Sequence, residues 1–147
     1  MTIPALLASP IVWSTFFAMF TAQCIKSLLS WKQDGHFHWR YIFLTAGMPS
    51  SHTAVVTALS TSLYLSEGPT HLFIVAGTLS LIVIRDVIGD KAFAQAQENI
   101  VNKIFDRITH GQYEAARWNT LIGHTLKEVV AGFLLGIAVA LAVFRLF

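Results

Sequence analysis

Long uncharged stretches alternate with short polar segments along the chain. No Asp, Glu, Lys or Arg occurs in residues 1–25, 41–66 or 68–84, and residues 118–147 are interrupted only by Lys127, Glu128 and Arg145. Because a helix needs roughly 20 mostly apolar residues to cross a bilayer, the pattern predicts about four spanning helices. The third stretch is short, so a spanning helix there must include residues beyond its two ends. The stretches are too long and unbroken for barrel strands, which alternate over about ten residues.

A second pattern follows the third stretch. Apolar residues recur at Phe93, Ala96, Ile100, Ile104 and Ile108. This is close to the spacing of one face of an amphipathic helix. We therefore expect the third helix to continue as an amphipathic extension that stops near Gly111. The pattern leaves open whether the extension lies on the membrane surface or packs on the other helices.

Composition places the chain in the membrane class. Of its 147 residues, 54% are hydrophobic and 12% are charged, whereas soluble domains carry about 25% charged residues. A chain this short has too much surface for its volume to hide that apolar surplus in its own core. We predict a single all-α integral membrane domain over residues 1–147. The net charge of +2 gives no reason to expect nucleic acid, and one cysteine excludes an intrachain disulfide.

The basic residues predict an orientation. Four spans place residues 26–40 and 85–117 on one side, and with Lys127 that side holds nine of the ten Lys and Arg residues. The positive-inside rule makes that side cytoplasmic, so we expect both termini on the opposite side of a bacterial inner membrane. Residues 1–9 lack the basic residues of a signal peptide, so we expect the first stretch to be retained as a helix.

One polar cluster lies at the start of the second predicted span. Pro49 suits a first helical position, which puts Ser50 and Ser51 in the first turn. There the free N–H groups and the helix dipole favour an anion, and His52 adds a proton donor. The alternative is an ordinary helix start with a polar cap.

A second cluster, His124 and Glu128, begins the fourth span. Residues four apart share a helix face, so the Glu128 carboxylate can accept a hydrogen bond from one imidazole nitrogen and leave the other free as a nucleophile or base. The alternative is an interfacial pair facing water. Basic residues form the third cluster, and two or three of them are expected to bind phosphate, while the others follow the positive-inside rule or contact headgroups. Alternating helices bring all of these groups to one membrane face.

These motifs resemble those of a known superfamily. Residues 47–52, Gly-Met-Pro-Ser-Ser-His, resemble the Pro-Ser-Gly-His motif of the type-2 phosphatidic acid phosphatases, which are related to vanadium haloperoxidases. The segment from His124 to Glu128 resembles their later His-x-x-x-Asp motif. The chain is most similar to a divergent bacterial and plant branch, through Ala22-Gln23-x-x-Lys26, Asp86-x-x-Gly89, Gln97 with Asn102-Lys103, and Gly123-His124.

The resemblance implies a role for each matched residue. His124 would be the nucleophile that forms a phosphohistidine, Glu128 would orient it, and His52 would protonate the leaving oxygen. The implied phosphate-binding set is Lys26, Ser50, Ser51, Arg85, Lys91 and Arg117, and the implied supporting set is Gln23, Asp86, Asn102 and Lys103. Neither metal nor another cofactor is implied. The chain departs from the main family in lacking its Lys-x6-Arg-Pro motif, and Trp118 stands where an arginine is usual.

Three functions remain open from the sequence. The first is a phosphatase acting on a lipid phosphomonoester such as phosphatidylglycerophosphate, phosphatidic acid or a polyprenyl phosphate. The second is a magnesium-dependent lipid enzyme using Asp86 and Asp90, because two carboxylates can hold Mg²⁺ against a phosphate. The third is a lipid-phosphate-binding protein without turnover. A homodimer through the small residues Ala131, Gly132 and Gly136 is also expected.

Overall fold

The structure is a computed structural model that describes residues 8–34, 47–109 and 124–147. Within these residues it contains helices and no strand. The helices are α1 (Pro10–Asp34), α2 (Ser51–Glu67), α3 (His71–Thr109) and α4 (Leu126–Leu146). The predicted all-α class is confirmed.

The helices have the length and surface of a membrane bundle. Three segments are long and apolar enough to span a bilayer, namely Pro10–Lys32, His71–Phe105 and Leu126–Leu146. The 17 residues of α2 extend about 25 Å, at the lower limit for a spanning helix. Large apolar side chains face outward, and more than half of each is exposed at Phe16, Phe20, Ile74, Leu81 and Leu134. This outward apolar surface suits lipid rather than water.

The central helix is α2, which packs against each of the other three. Its buried side chains are all small: Ser51, Thr53, Ala54, Thr57, Ala58 and Ser62. Small side chains let helix backbones approach closely in a membrane, where packing and hydrogen bonds replace the hydrophobic driving force. Ala18 and Ala22 of α1 complete the core with Ala54 and Ala58.

Two glycines of α4 make the closest contact with α2. A Cβ atom at Gly132 would collide with the carbonyl oxygen of Ser50, and one at Gly136 would lie 2.5 Å from the carbonyl oxygen of Ala54. Both glycines are buried inside the bundle. They therefore cannot form the dimer face expected from the sequence, because α2 already occupies them. A homodimer through another surface stays a prediction.

Two helix boundaries differ from expectation. The uncharged run of residues 1–25 predicts that the first span ends at Lys26, but α1 continues to Asp34 and buries Lys26 within it. Pro49 was expected at the first helical position, but α2 begins at Ser51 with Ser50 as its N-cap, because the serine side chain satisfies a backbone N–H that proline could not.

The predicted extension of α3 is confirmed. The helix runs for 39 residues, about 58 Å, well beyond a hydrocarbon core of about 30 Å. Its predicted apolar stripe is exposed, and the accessible fraction of the residue is 53% to 72% at Phe93, Ile100, Ile104 and Ile108. These four side chains therefore do not pack on the helices that the structure describes. The expected stop at Gly111 lies outside the described residues.

Candidate functional site

The start of α4 holds His124 and Glu128 together through a capping box. Thr125 is the N-cap, its side chain accepts a hydrogen bond from the backbone N–H of Glu128, and the Glu128 carboxylate accepts one from the N–H of Thr125 at 3.0 Å. The same carboxylate oxygen lies 2.9 Å from Nδ1 of His124. The predicted pairing is present, but His124 precedes the helix and does not share its face. The cap, rather than helical periodicity, brings the two side chains together.

His124 is buried with one nitrogen unused. The residue is 2% exposed, and within the described part of the chain its Nε2 atom has no hydrogen-bond partner. Because Nδ1 donates to Glu128, the neutral ring carries its lone pair on Nε2. An unpaired buried nitrogen is costly in a folded protein. Such an unpaired atom is typical of a binding site, where a ligand atom supplies the missing partner of Nε2.

The environment of His124 favours its neutral form. Burial lowers the pKa of His124 below its ordinary value of 6.5, and this effect exceeds the raising effect of the Glu128 hydrogen bond. The positive charge of Lys26 lowers the pKa further. His124 lies just before the spanning segment Leu126–Leu146, and its unprotonated Nε2 is available at neutral pH.

The start of α2 presents hydroxyl and amide groups. The Ser50 side chain accepts a hydrogen bond from the backbone N–H of Thr53 at 3.3 Å and another from its hydroxyl at 3.0 Å. The first N–H groups of a helix have no intrahelical partner, so those of Ser51 and His52 remain at the positive end of the helix dipole. Such a terminus favours an anion.

Lys26 supplies a buried cation beside this terminus. The residue is 3% exposed, and its Nζ atom donates to the Ser51 hydroxyl at 3.3 Å. Its charge acts on both His124 and Glu128. A cation held in a low-dielectric interior attracts an anion far more strongly than a surface lysine does.

Backbone hydrogen bonds fix the elements around His124. The N–H of Ser50 donates to the Glu128 carbonyl at 2.9 Å, and the N–H of His124 donates to the Val87 carbonyl of α3 at 3.1 Å. Together with the contact between Lys26 and Ser51, these bonds join all four helices at one end of the bundle. The convergence expected from alternating helices is therefore present for α1, α2 and α4, with α3 contributing a backbone carbonyl.

His52 lies across the site from His124. Its ring centroid is 6.3 Å from that of His124, and the residue is exposed. The site thus pairs a buried, oriented imidazole with an accessible one. The arrangement suits a nucleophile and a proton donor that act on one bound group.

Other residues from the sequence prediction lie elsewhere or apart. Arg85 pairs with Asp86 at 3.9 Å, and their side chains are 88% and 60% exposed, so the structure does not bring them into the buried site. Asn102 and Lys103 follow Val87 by 15 and 16 residues on α3, more than about 20 Å along the helix. Arg117 lies outside the described residues.

Two predicted residues remain near the site by position. Lys91 is half-buried and lies one helical turn after Val87, whose carbonyl binds His124. Gln23 precedes Lys26 by about one turn of α1, and its Oε1 atom is buried without a hydrogen-bond partner among the described residues. Their assignments stay predictions.

Sequence reasoning missed three contributors. Thr125 caps α4, Thr53 binds Ser50, and the Val87 carbonyl binds the His124 backbone. The Thr125-x-x-Glu128 spacing is a capping-box signature and could have revealed the first. A backbone carbonyl carries no residue-type signal, so Val87 could not have been found.

The described residues offer nitrogen and hydroxyl groups rather than a carboxylate cluster. Within them, no group of three or more His, Cys, Asp or Glu side chains could hold a metal ion. Asp86 and Asp90 of α3 are both exposed. The arrangement can bind an anion at Lys26 and the α2 terminus and bring it to His124.

Comparisons with known proteins identify the family. The model of the Divergent PAP2 family matches residues 7–139, which include the site on α1, α2 and α4. The uncharacterized membrane protein YuiD of Bacillus subtilis (strain 168) is 32% identical over 141 residues, covering 87% of this chain and 89% of that protein. No solved structure matches the chain significantly. The resemblance read from the sequence motifs is thus confirmed, and the chain belongs to the Divergent PAP2 family.

Proposed function

We propose that this protein is a membrane-embedded phosphatase that hydrolyses a lipid phosphomonoester through a phosphohistidine intermediate. The observation that carries the proposal is the buried His124, whose Nδ1 is held by Glu128 while Nε2 has no partner among the described residues. Membership of a family related to phosphatases supports the same chemistry.

In the first step, Nε2 of His124 attacks phosphorus and forms a P–N bond while the P–O bond to the lipid breaks. His52 gives a proton to the leaving oxygen, so the lipid departs as an alcohol. The imidazolium that forms on His124 is stabilised by Glu128 through Nδ1, as a carboxylate stabilises an oriented histidine. Lys26 and the α2 terminus neutralise charge on the phosphoryl oxygens.

In the second step, water attacks the phosphohistidine. The P–N bond breaks, inorganic phosphate leaves, and the proton of the water molecule passes to His52, which returns to its starting state. Positioned cations and amides provide the charge stabilisation that phosphoryl transfer needs. The proposed chemistry therefore uses groups of the chain alone.

A lipid substrate suits the position of the site. Lys26 and Glu128 lie within two segments that are long and apolar enough to span a bilayer, toward the end of each that meets the site. The phosphate would therefore be bound near the headgroup level. The distribution of basic residues supports a cytoplasmic position for this end, with both termini on the other side.

The direct test is phosphate release from purified protein in detergent. We expect inorganic phosphate from at least one of phosphatidic acid, phosphatidylglycerophosphate and a polyprenyl phosphate, at a rate unchanged by EDTA. Release that EDTA abolishes would contradict the histidine chemistry and favour magnesium bound by Asp86 and Asp90. Absence of release from every lipid, with folding verified, would contradict the phosphatase proposal.

The alternative with a specific observation in its favour is a lipid-phosphate-binding protein without turnover. Lys26 is the single buried charged side chain among the described residues, and the Arg85 side chain is 88% exposed. Arginine holds phosphate through two parallel hydrogen bonds, whereas lysine offers only a point charge. This alternative predicts that radiolabelled phosphatidic acid binds the protein and dissociates unchanged.

The pH dependence of kcat/KM tests the state of His124. Because burial lowers the pKa of His124, the nucleophile stays unprotonated as pH falls to 6.5, and we expect the acidic limb below that value. Since Glu128 raises the pKa of His124 and Lys26 lowers it, Glu128→Gln should move the limb to lower pH and Lys26→Met to higher pH. Shifts in one common direction would contradict this electrostatic account.

A further inference from the structure

A groove outside the polar site opens between α1 and α4. It is lined entirely by apolar residues, including Ile25 and Leu29 of α1, Met48 and Pro49 before α2, and Ala131 and Ala138 of α4. We call it the tail groove. Its volume is about 380 Å³, within the range of small-molecule sites of roughly 300–1,000 Å³.

The tail groove adjoins the polar site on three elements. Ile25 precedes the buried Lys26, Pro49 precedes the N-cap Ser50, and Ala131 precedes Gly132, which packs against the Ser50 carbonyl. On each of these elements, a residue that lines the groove is therefore the chain neighbour of a residue that belongs to the site or packs against it. An amphiphile with an anionic head matches this pairing of an apolar groove with a buried cation.

The groove also leads away from the headgroup level. Ala131 and Ala138 both line it, and they are separated by about 10 Å along α4. Ala138 lies ten residues beyond Glu128, about 15 Å further along the helix. A chain whose head is at His124 would thus follow α4 toward the interior of the bilayer.

The volume of the groove is comparable with that of one hydrocarbon chain. A methylene group is about the size of a water molecule, which occupies roughly 30 Å³ in the liquid. A cavity of about 380 Å³ therefore holds on the order of a dozen methylene groups.

We propose that the tail groove binds one hydrocarbon chain of the lipid phosphate and thereby sets the position of its phosphate against His124. The proposal rests on the proposed function for the identity of the head group. Lipid tails are as apolar as the groove, so the chain gains little affinity by entering it. The groove instead affects the rate, because it fixes the position of the phosphate relative to His124. Small misplacements of a reacting group can reduce rates about 100-fold.

The test uses full-length protein in phosphatidylcholine nanodiscs and a dodecyl phosphate that carries a diazirine at the end of its chain. Ala138→Phe narrows the groove. Ala142→Phe, one turn further on α4 at an exposed position that does not line the groove, is the matched control. We expect photolabelling to concentrate on the lining segments of α1 and α4. It should fall at least fivefold in Ala138→Phe and stay unchanged in Ala142→Phe.

A second readout compares substrates with and without a chain. Ala138→Phe should lower the ratio of dodecyl phosphate turnover to p-nitrophenyl phosphate turnover at least tenfold, and Ala142→Phe should not change this ratio. If Ala138→Phe does not fold, both measurements are made on Leu29→Trp, which narrows the groove from the opposite wall.

The outcomes separate the two proposals. Labelling spread evenly over the lipid-facing helices in all variants would overturn the groove, even if phosphate is released. The same groove labelling by dodecanol carrying the diazirine would overturn its link to a phosphate head. Labelling that requires both the groove and the phosphate, without any phosphate release, would support the groove and refute hydrolysis.

Discussion

Replacing His124 with alanine is expected to reduce phosphate release by roughly 1,000-fold or more. Removal of a nucleophile leaves only the stabilisation supplied by the remaining binding groups, and losses of this size are typical when a catalytic unit loses one member. The fold should survive, because His124 binds α3 through its backbone N–H to Val87, which alanine retains. The measurement is the initial rate of phosphate release from the best lipid substrate.

A matched histidine controls for the substitution. His71 is exposed at the start of α3, away from the site, and His71→Ala should keep the wild-type rate. Radiolabelled substrate quenched at alkaline pH should leave a phosphohistidine on wild-type protein and none on His124→Ala. Equal rates for wild type and His124→Ala would refute the assignment of His124 as nucleophile.

Replacing Gly132 with alanine is expected to destabilise the bundle by about 1–3 kcal/mol, the usual range for overpacking. The added Cβ would collide with the Ser50 carbonyl oxygen, which belongs to the backbone and cannot turn aside as a side chain would. Separation of α4 from α2 would also displace Ser50, the N-cap of α2. We therefore expect a lower melting temperature in detergent together with lower phosphatase activity.

Gly77→Ala is the matched control for this effect. Gly77 is also a helical glycine, but a Cβ atom there would meet nothing within 4 Å. Because alanine favours the helix over glycine by roughly 0.5–1 kcal/mol, Gly77→Ala should be neutral or stabilising. If both variants had the same melting temperature as wild type, the close approach of α4 to α2 would be disproved.

The site was predictable where local chemistry decides it. The serines at residues 50 and 51 indicate a helix start, and the pairing of His124 with Glu128 was predicted. The contact itself is made through the capping box and not through a shared helix face. Arg85 shows the opposite case. Arg85 carries the positive charge expected of a phosphate-binding residue. Its position on α3 turns the side chain away from the bundle, so the side chain is exposed and pairs with Asp86.

The sequence by itself determined the membrane class, the helical fold and the order of the polar motifs. These properties follow from uninterrupted apolar runs and from the cost of leaving backbone groups unpaired in lipid, both of which act within one segment. Only the tertiary structure decided that Gly132 and Gly136 face α2, that Lys26 reaches Ser51, and that the Val87 carbonyl holds His124. These contacts join segments far apart in the chain, and they depend on how each helix is rotated about its axis, which packing between helices sets and a local pattern cannot.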